Sequence, residues 1–247
     1  MDKKDWLLDS GLLRAWKQGT IGYIQLHRPE KANAYNESLL DNFSSTLPLI
    51  ESDDSIRVIV ICGAGNRSFC AGADLEEMQT KDYRSALNLK SAKLFHAISS
   101  SSKITLACIN GAAVGGGLEL ALACDLRISS NQARFFFPET KLGLIPAAGG
   151  TQRLAQLLGM AKAKELILGG RIWSAEEAFR IGLVTEIVPF MELMSKAQKW
   201  GEEIAQRDPV ALEFAKKAIE ASSNFNAGFN YERIAEALLY QLKMNKK

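Results

Sequence analysis

"AAVGGGLELALACD", residues 112–125, sets Glu119 directly behind three glycines, in a run that is otherwise apolar until Asp125. Two readings of that carboxylate compete. A glutamate in the first turn of a helix is favoured by the partial positive charge at the helix N-terminus and can stand in solvent. The leucines, alanines and valine around Glu119 argue instead for burial, and a buried, unpaired carboxylate is costly enough that chains keep it mainly for chemistry. Gly115, Gly116 and Gly117 divide the same way. They read as a flexible turn or close packing point, or as backbone that a ligand approaches, with free N–H groups at a helix start aimed at developing negative charge. They are not a dinucleotide fingerprint, because the GxGxxG spacing is missing. "GAGNRS" (63–68) also breaks that pattern and runs into "FCAGAD" rather than a helix. Neither a GxxxxGK[ST] phosphate loop nor a GxSxG elbow occurs.

Outward from this segment, the β-branched runs "IGYIQLH" (21–27), "IRVIVICG" (56–63) and "ITLACIN" (104–110) read as buried strands, each leading into a glycine-bearing loop or a helix. Helices are expected from near Asn36, ended or kinked by Pro48, and over about 81–100. From about residue 149 the pattern is almost wholly helical. Ser174 reads as an N-cap, Pro209 as a first-turn proline, and "LVTEIVP" (183–189) as the one strand signal there. The fold class is α/β, an alternating core followed by a helical tail suited to assembly.

Composition narrows the function. The chain has 247 residues, 47% hydrophobic and 23% charged, with a formal charge of +2. Basic and acidic residues are interspersed, so neither nucleic acid nor a membrane surface is implied as a partner. No charged segment precedes an apolar stretch at the start, and no apolar run reaches the roughly 20 residues of a spanning helix. A cytoplasmic protein is expected. Cys62, Cys70, Cys108 and Cys124 form no CxxC pair and read as reduced core thiols. With only His27 and His96, no metal site is expected.

Two more segments carry candidates. In "FCAGAD" (69–74), Asp74 reads as the N-cap of a short helix, and Cys70 has no neighbouring histidine to activate it. In "FFFPETKLGLIPAAGGTQRL" (135–154), Glu139 reads either as a surface carboxylate or as one that apolar flanks desolvate, which suits a general acid. The glycine-rich "AAGGTQRL" is another helix start, with Thr151 and Arg153 read as solvated.

Together these pieces resemble the crotonase superfamily, the enoyl-CoA hydratase/isomerase family. "HRPEKANAYN" is similar to its RPxxxNAL segment. "FCAGAD", "NGAAVGGGLELALACD", "PETKLGLIPAAGGTQRL" and "GGRIWSAEEAFRIGLV" follow in the family's order, so the likeness covers about residues 20–190. The resemblance implies a spiral of ββα units over residues 1–190. It implies a helical C-terminal region over 191–247 that drives trimers, usually paired as dimers of trimers. It places Ala73 and Gly116 as backbone donors to the thioester oxygen, and Glu119 and Glu139 as the catalytic pair for adding water to a trans-2-enoyl-CoA. Ala71, Asp74, Leu75, Gly115 and Pro138 are expected around the substrate, with Lys31 and Arg67 toward the CoA phosphates. Coenzyme A belongs to the substrate, and no separate cofactor is expected.

The sequence departs from that family pattern in three places. Phe136 and Phe137 stand where many relatives carry a glycine and a polar residue, bulk that would shorten the acyl pocket or raise the pKa of Glu139. Tyr35 replaces a leucine near the expected CoA entrance. The chain stops at "LLYQLKMNKK", where relatives usually continue into a last helix. An enoyl-CoA isomerase using only the Glu139 position and a CoA-linked dehydratase are the enzymatic alternatives. A dehalogenase is disfavoured by Ala147, which stands near that branch's nucleophilic aspartate. A non-catalytic acyl-CoA or RNA binding protein is the alternative of a different class.

Overall fold

A computed structural model describes residues 5–79 and 82–244. The three apolar runs form the centre of a seven-stranded sheet, ordered β1 (Asp5–Asp9), β2 (Leu13–Gln18), β3 (Ile21–Leu26), β4 (Val58–Gly63), β6 (Ile104–Ile109), β8 (Leu126–Ser130) and β11 (Glu186–Val188). Pairing is antiparallel from β1 to β3 and parallel from β3 to β11. Both faces of the central strands are covered, which is why they read as unbroken apolar runs. On β4, Ile59 and Ile61 enter one core cluster while Val60 and Cys62 enter the other.

A second sheet runs β10 (Trp173–Ser174), β9 (Arg134–Phe136), β7 (Ala112–Val114) and β5 (Ser68–Cys70). Each unit of the spiral places one strand in the large sheet, a short one in the small sheet, and then a helix. Thus β6 and β7 lead into α5 (Gly116–Ala123), and β8 and β9 lead into α6 (Gly150–Ile167), which is interrupted at Gly159. The tail is less purely helical than its sequence implies. Trp173 and Ser174 pair with Phe135 and Arg134, a strand too short to leave a periodic signal.

Asn36 caps α1 (Glu37–Ser52), its side chain accepting the Leu39 N–H at 2.9 Å. Pro48 does not end this helix. It lies on the solvent face, where water can satisfy the carbonyl it leaves unpaired, while Leu47 and Ile50 stay buried in the core. The helix expected over 81–100 begins at Lys81, outside the described residues. Beyond it the chain forms two pieces, α3 (Tyr83–Leu87) and α4 (Lys90–Ser99), after the short α2 (Leu75–Met78). The break falls at Asn88, whose φ of −122° and ψ of 42° are not helical.

Ser174 and Glu177 form a full capping box on α7 (Ala175–Arg180). α8 (Leu193–Ala205) lays Leu193 and Ala197 against Tyr23, Leu106 and Ile128 on the outer face of the large sheet. α9 (Pro209–Glu220) starts on its proline behind the Asp208 cap, and buried Lys216 ties it to the core through Asp125 and the Ser101 carbonyl. α10 (Phe225–Met244) leaves Phe229, Ile234 and Leu238 exposed. All four cysteines are buried, and none is joined in a disulfide. Among the described residues no helix is long and apolar enough to cross a membrane.

Two asparagines brace the loop between β4 and β5. Asn33 accepts the Arg28 N–H at 3.0 Å and donates to the Ala64 and Ser68 carbonyls at 2.9 and 2.8 Å, while Asn110 donates to Gly65 and Ser68 at 2.8 and 3.0 Å. Asn33 is fully buried, so Asn33→Ala strands the Arg28 N–H and the Ala64 carbonyl, while the Ser68 carbonyl keeps Asn110. At about 1–3 kcal/mol for a buried polar group left unpaired, discounted for relaxation, the variant loses roughly 3 kcal/mol. A lower urea midpoint at unchanged m-value checks this.

Candidate active site

The site is assembled from loop ends that the two sheets bring together. Tyr35 bonds to the strand-like stretch 72–74 in parallel fashion: its N–H donates to the Gly72 carbonyl at 2.8 Å and its carbonyl accepts the Asp74 N–H at 2.9 Å. Ala73, between them, keeps an N–H with no acceptor among the described residues. Gly116, first residue of α5, also has an N–H without an acceptor among the described residues, as expected at a helix start. The two loops abut, since a Cβ on Gly72 would stand 3.1 Å from the Gly116 nitrogen.

The glycines are required by contact and conformation. Gly115 has φ +51°, and a Cβ there would stand 2.5 Å from Glu139 Oε1. A Cβ on Gly117 would collide with the Cys70 carbonyl, so α5 packs against β5 only through a glycine.

Glu119 is 3% exposed, which decides against the solvated reading. Its Oε1 accepts the N–H groups of Ala148 and Gly150 at 2.7 and 2.8 Å, at the start of α6. Burial raises its pKa, and those two bonds together with the nearby Arg153 charge oppose the rise. Arg153 is not solvated as its sequence context implied. It donates to the Ala148 carbonyl at 2.9 Å and to Ser99 Oγ at 3.2 Å.

Glu139 is tuned differently. Burial pushes its pKa up to about 7, and the charge of Glu119 adds to the rise. Its Oε2 is enclosed with no hydrogen-bond partner among the described residues. Burial raises both pKa values, but Glu119 has two backbone N–H donors that oppose the rise while Glu139 Oε2 has none among the described residues, so of the two Glu139 has the environment that more favours a proton.

Both carboxylates, Ala73 and Gly116 line one cavity of about 320 Å³. Ala71, Leu75, Gly115, Pro138 and Ala147 line it too, with Met78, Leu142 and Ile145 supplying apolar wall that the sequence reading did not single out. The signal for Leu142 and Ile145 was the apolar "LGLIPAA" run in a loop. Asp74 stands outside the lining. It caps α2 and pairs with Arg28 at 2.9 Å. Lys31, paired with Glu76 at 2.8 Å, and Arg67 are exposed and also outside it. Phe136 and Phe137 do not line the cavity, so their bulk does not shorten it. Cys70 is no thiolate nucleophile, because burial pushes its thiol up to about 12.

A family model described as enoyl-CoA hydratase/isomerase matches residues 16–247. The chain belongs to the enoyl-CoA hydratase/isomerase family. It is 39% identical over 205 residues to a short-chain-enoyl-CoA hydratase of Clostridium acetobutylicum, covering 82% of this chain and 78% of that protein. A probable mitochondrial enoyl-CoA hydratase 2 of Arabidopsis thaliana is 41% identical over 228 residues, 90% of this chain and 74% of that one. The crystal structure of an enoyl-CoA hydratase from Bacillus anthracis superposes with a TM-score of 0.88 at 36% identity, covering 92% of this chain and 90% of that one. The alternation of long strand, short strand and helix in this enoyl-CoA hydratase/isomerase family member is thus the crotonase fold.

The environment of Glu139 has a measurable cost. Its folded pKa lies above the ordinary carboxyl value of 4.5, so its stabilising protonation is complete below pH 4.5 and is lost as pH rises through about 7. Glu139→Gln cannot ionise and escapes that loss. The difference in melting temperature, variant minus parent, is therefore more positive at pH 8 than at pH 5, as thermal unfolding at the two pH values will show.

Proposed function

We propose that this protein is a 2-enoyl-CoA hydratase, reversibly adding water across the C2–C3 double bond of a trans-2-enoyl-CoA thioester. The observation that carries the reading is a pair of unlike carboxyls, Glu119 and Glu139, facing the same cavity as two free N–H groups. With the thioester oxygen at Ala73 and Gly116, charge that builds there as water attacks C3 meets two preorganised donors. Glu119, ionised and held by Ala148 and Gly150, takes a proton from the attacking water as the C3–O bond forms. Glu139, protonated, gives its proton to C2. Transfer of a proton from Glu119 back to Glu139 resets the site, and the reverse reaction exchanges their roles. The addition is redox-neutral and its acid, base and oxyanion donors all come from the chain, so no cofactor is part of the proposal; coenzyme A is the handle of the substrate.

Lys31 and Arg67 are proposed as contacts to the CoA phosphates. Support for Lys31 is its tie through Glu76 to α2, whose Leu75 and Met78 line the cavity. Asp74 serves the substrate indirectly, by capping α2. The exposed apolar side chains of α10 support self-association as trimers, singly or in pairs. Four buried cysteines outside any disulfide fit a reducing compartment such as the cytoplasm. An isomerase needs only the carboxyl at Glu139, and the anchoring of Glu119 favours hydration over it.

The test is hydration of crotonyl-CoA by the parent, Glu119→Gln and Glu139→Gln. Each variant loses about 10²–10⁴-fold in kcat while remaining folded by circular dichroism. Activity in Glu119→Gln equal to the parent overturns the two-carboxyl reading. Because Glu139 must carry its proton, kcat/KM falls as pH rises through about 7, and a pH–rate profile reads that limb directly.

A further inference from the structure

Tyr35 serves the site twice. Its backbone holds the loop that presents the Ala73 N–H, and its side chain crosses to the other half of the donor pair. A Cβ built on Gly116 would collide with the Tyr35 hydroxyl and stand 2.9 Å from the ring carbon that bears it, so the phenol tip lies directly over the Gly116 α-carbon. The ring is fixed by an edge contact with Phe95, centroids 5.8 Å apart, and the residue is 7% exposed. Ser91, also buried, lies beside the hydroxyl, and both residues line the cavity with the two glutamates. Glu119 Oε1 is already taken by Ala148 and Gly150, and the phenol O–H, placed over Gly116, is directed at an oxygen bound there. The phenol is neutral at physiological pH, because burial and the nearby carboxylates hold its pKa above the usual value, so it can act only as a donor to developing charge.

We propose that the Tyr35 hydroxyl is a third hydrogen-bond donor to the acyl thioester oxygen, completing the pair formed by the Ala73 and Gly116 N–H groups. This rests on the acyl-CoA reading above. The added donor strengthens as charge accumulates on the oxygen, so it acts on kcat more than on KM.

Tyr35→Phe removes the hydroxyl and keeps the ring against Phe95. With crotonyl-CoA, kcat falls about 10-fold or more while KM stays within about 2-fold. Butyryl-CoA, which has no double bond to hydrate, serves as the static probe. The infrared C=O stretch of the bound thioester moves to higher frequency in Tyr35→Phe, toward its value in water, which a purely structural tyrosine would not cause. An unchanged stretch overturns the proposal, including when kcat and the melting temperature fall together. If the parent binds butyryl-CoA but hydrates nothing, the hydratase reading fails and the stretch still decides the role of Tyr35. If no acyl-CoA binds, both fail.

Discussion

One carboxylate oxygen joins two helix starts, and the geometry of the site depends on it. Oε1 of Glu119 accepts from Ala148 and Gly150, which satisfies N–H groups that the beginning of α6 would otherwise leave unpaired. The same contact fixes the first turn of α5, three residues beyond Gly116, so one interaction sets both a carboxyl and an oxyanion donor. The close approach of α5 to β5, possible because Gly117 has no side chain, then sets the distance to the Ala73 loop. Arg153 closes the arrangement from the far side by holding the Ala148 carbonyl. Breaking the Glu119 contact would strand two buried donors at about 1–3 kcal/mol each and release the α6 start as well.

Anchoring one carboxyl also tunes its neighbour. Two charged carboxylates in a shared, partly dry cavity repel, so the pair favours holding one proton between them. The anchoring donors stabilise the charged form of Glu119, while enclosed Oε2 of Glu139 has no hydrogen-bond partner among the described residues. The asymmetry comes from backbone N–H groups at a helix start and not from any charged partner of Glu139. On the proposed hydratase reading, the acid and base roles follow from where α6 begins.

Much of this was legible in the residues, for identifiable reasons. The central strands are buried on both faces, so 56–63 and 104–110 show themselves as continuous apolar runs; Asn36, Asp74 and Ser174 announce caps through side chains that can accept N–H bonds. Burial of Glu119 followed from its neighbours, and the desolvation of Glu139 from its flanks. The strands of the small sheet did not show, because two or three residues cannot establish a period and their existence depends on partners distant in sequence. Pro48 misled because local rules know nothing of which face meets water. The donors of Ala148 and Gly150 were invisible for a deeper reason: a backbone N–H has no residue type to betray it. Tyr35 was visible as an odd residue, but only tertiary packing reveals that its ring spans from one donor loop to the other.

The cavity wall shows why such a site stays open in the free chain. Leu75, Leu142 and Ile145 are exposed yet line the cavity beside deeply buried Glu119. The fold buries Glu119 against its N–H partners, since uncompensated buried charge is costly, and leaves the apolar rim in contact with water. An acyl chain entering the cavity would cover that rim, and each apolar Å² removed from water contributes roughly 25 cal/mol to binding before the cost of association. This gain is nearly uniform along the reaction and holds the substrate. In the proposed reaction, the gain from the N–H donors and the two glutamates would grow only as charge moves onto the thioester oxygen and protons change hands. On the proposed reading, binding and acceleration thus fall to different atoms of one cavity: affinity to exposed apolar side chains on its rim, and chemistry to backbone and carboxyl groups held between α5 and α6.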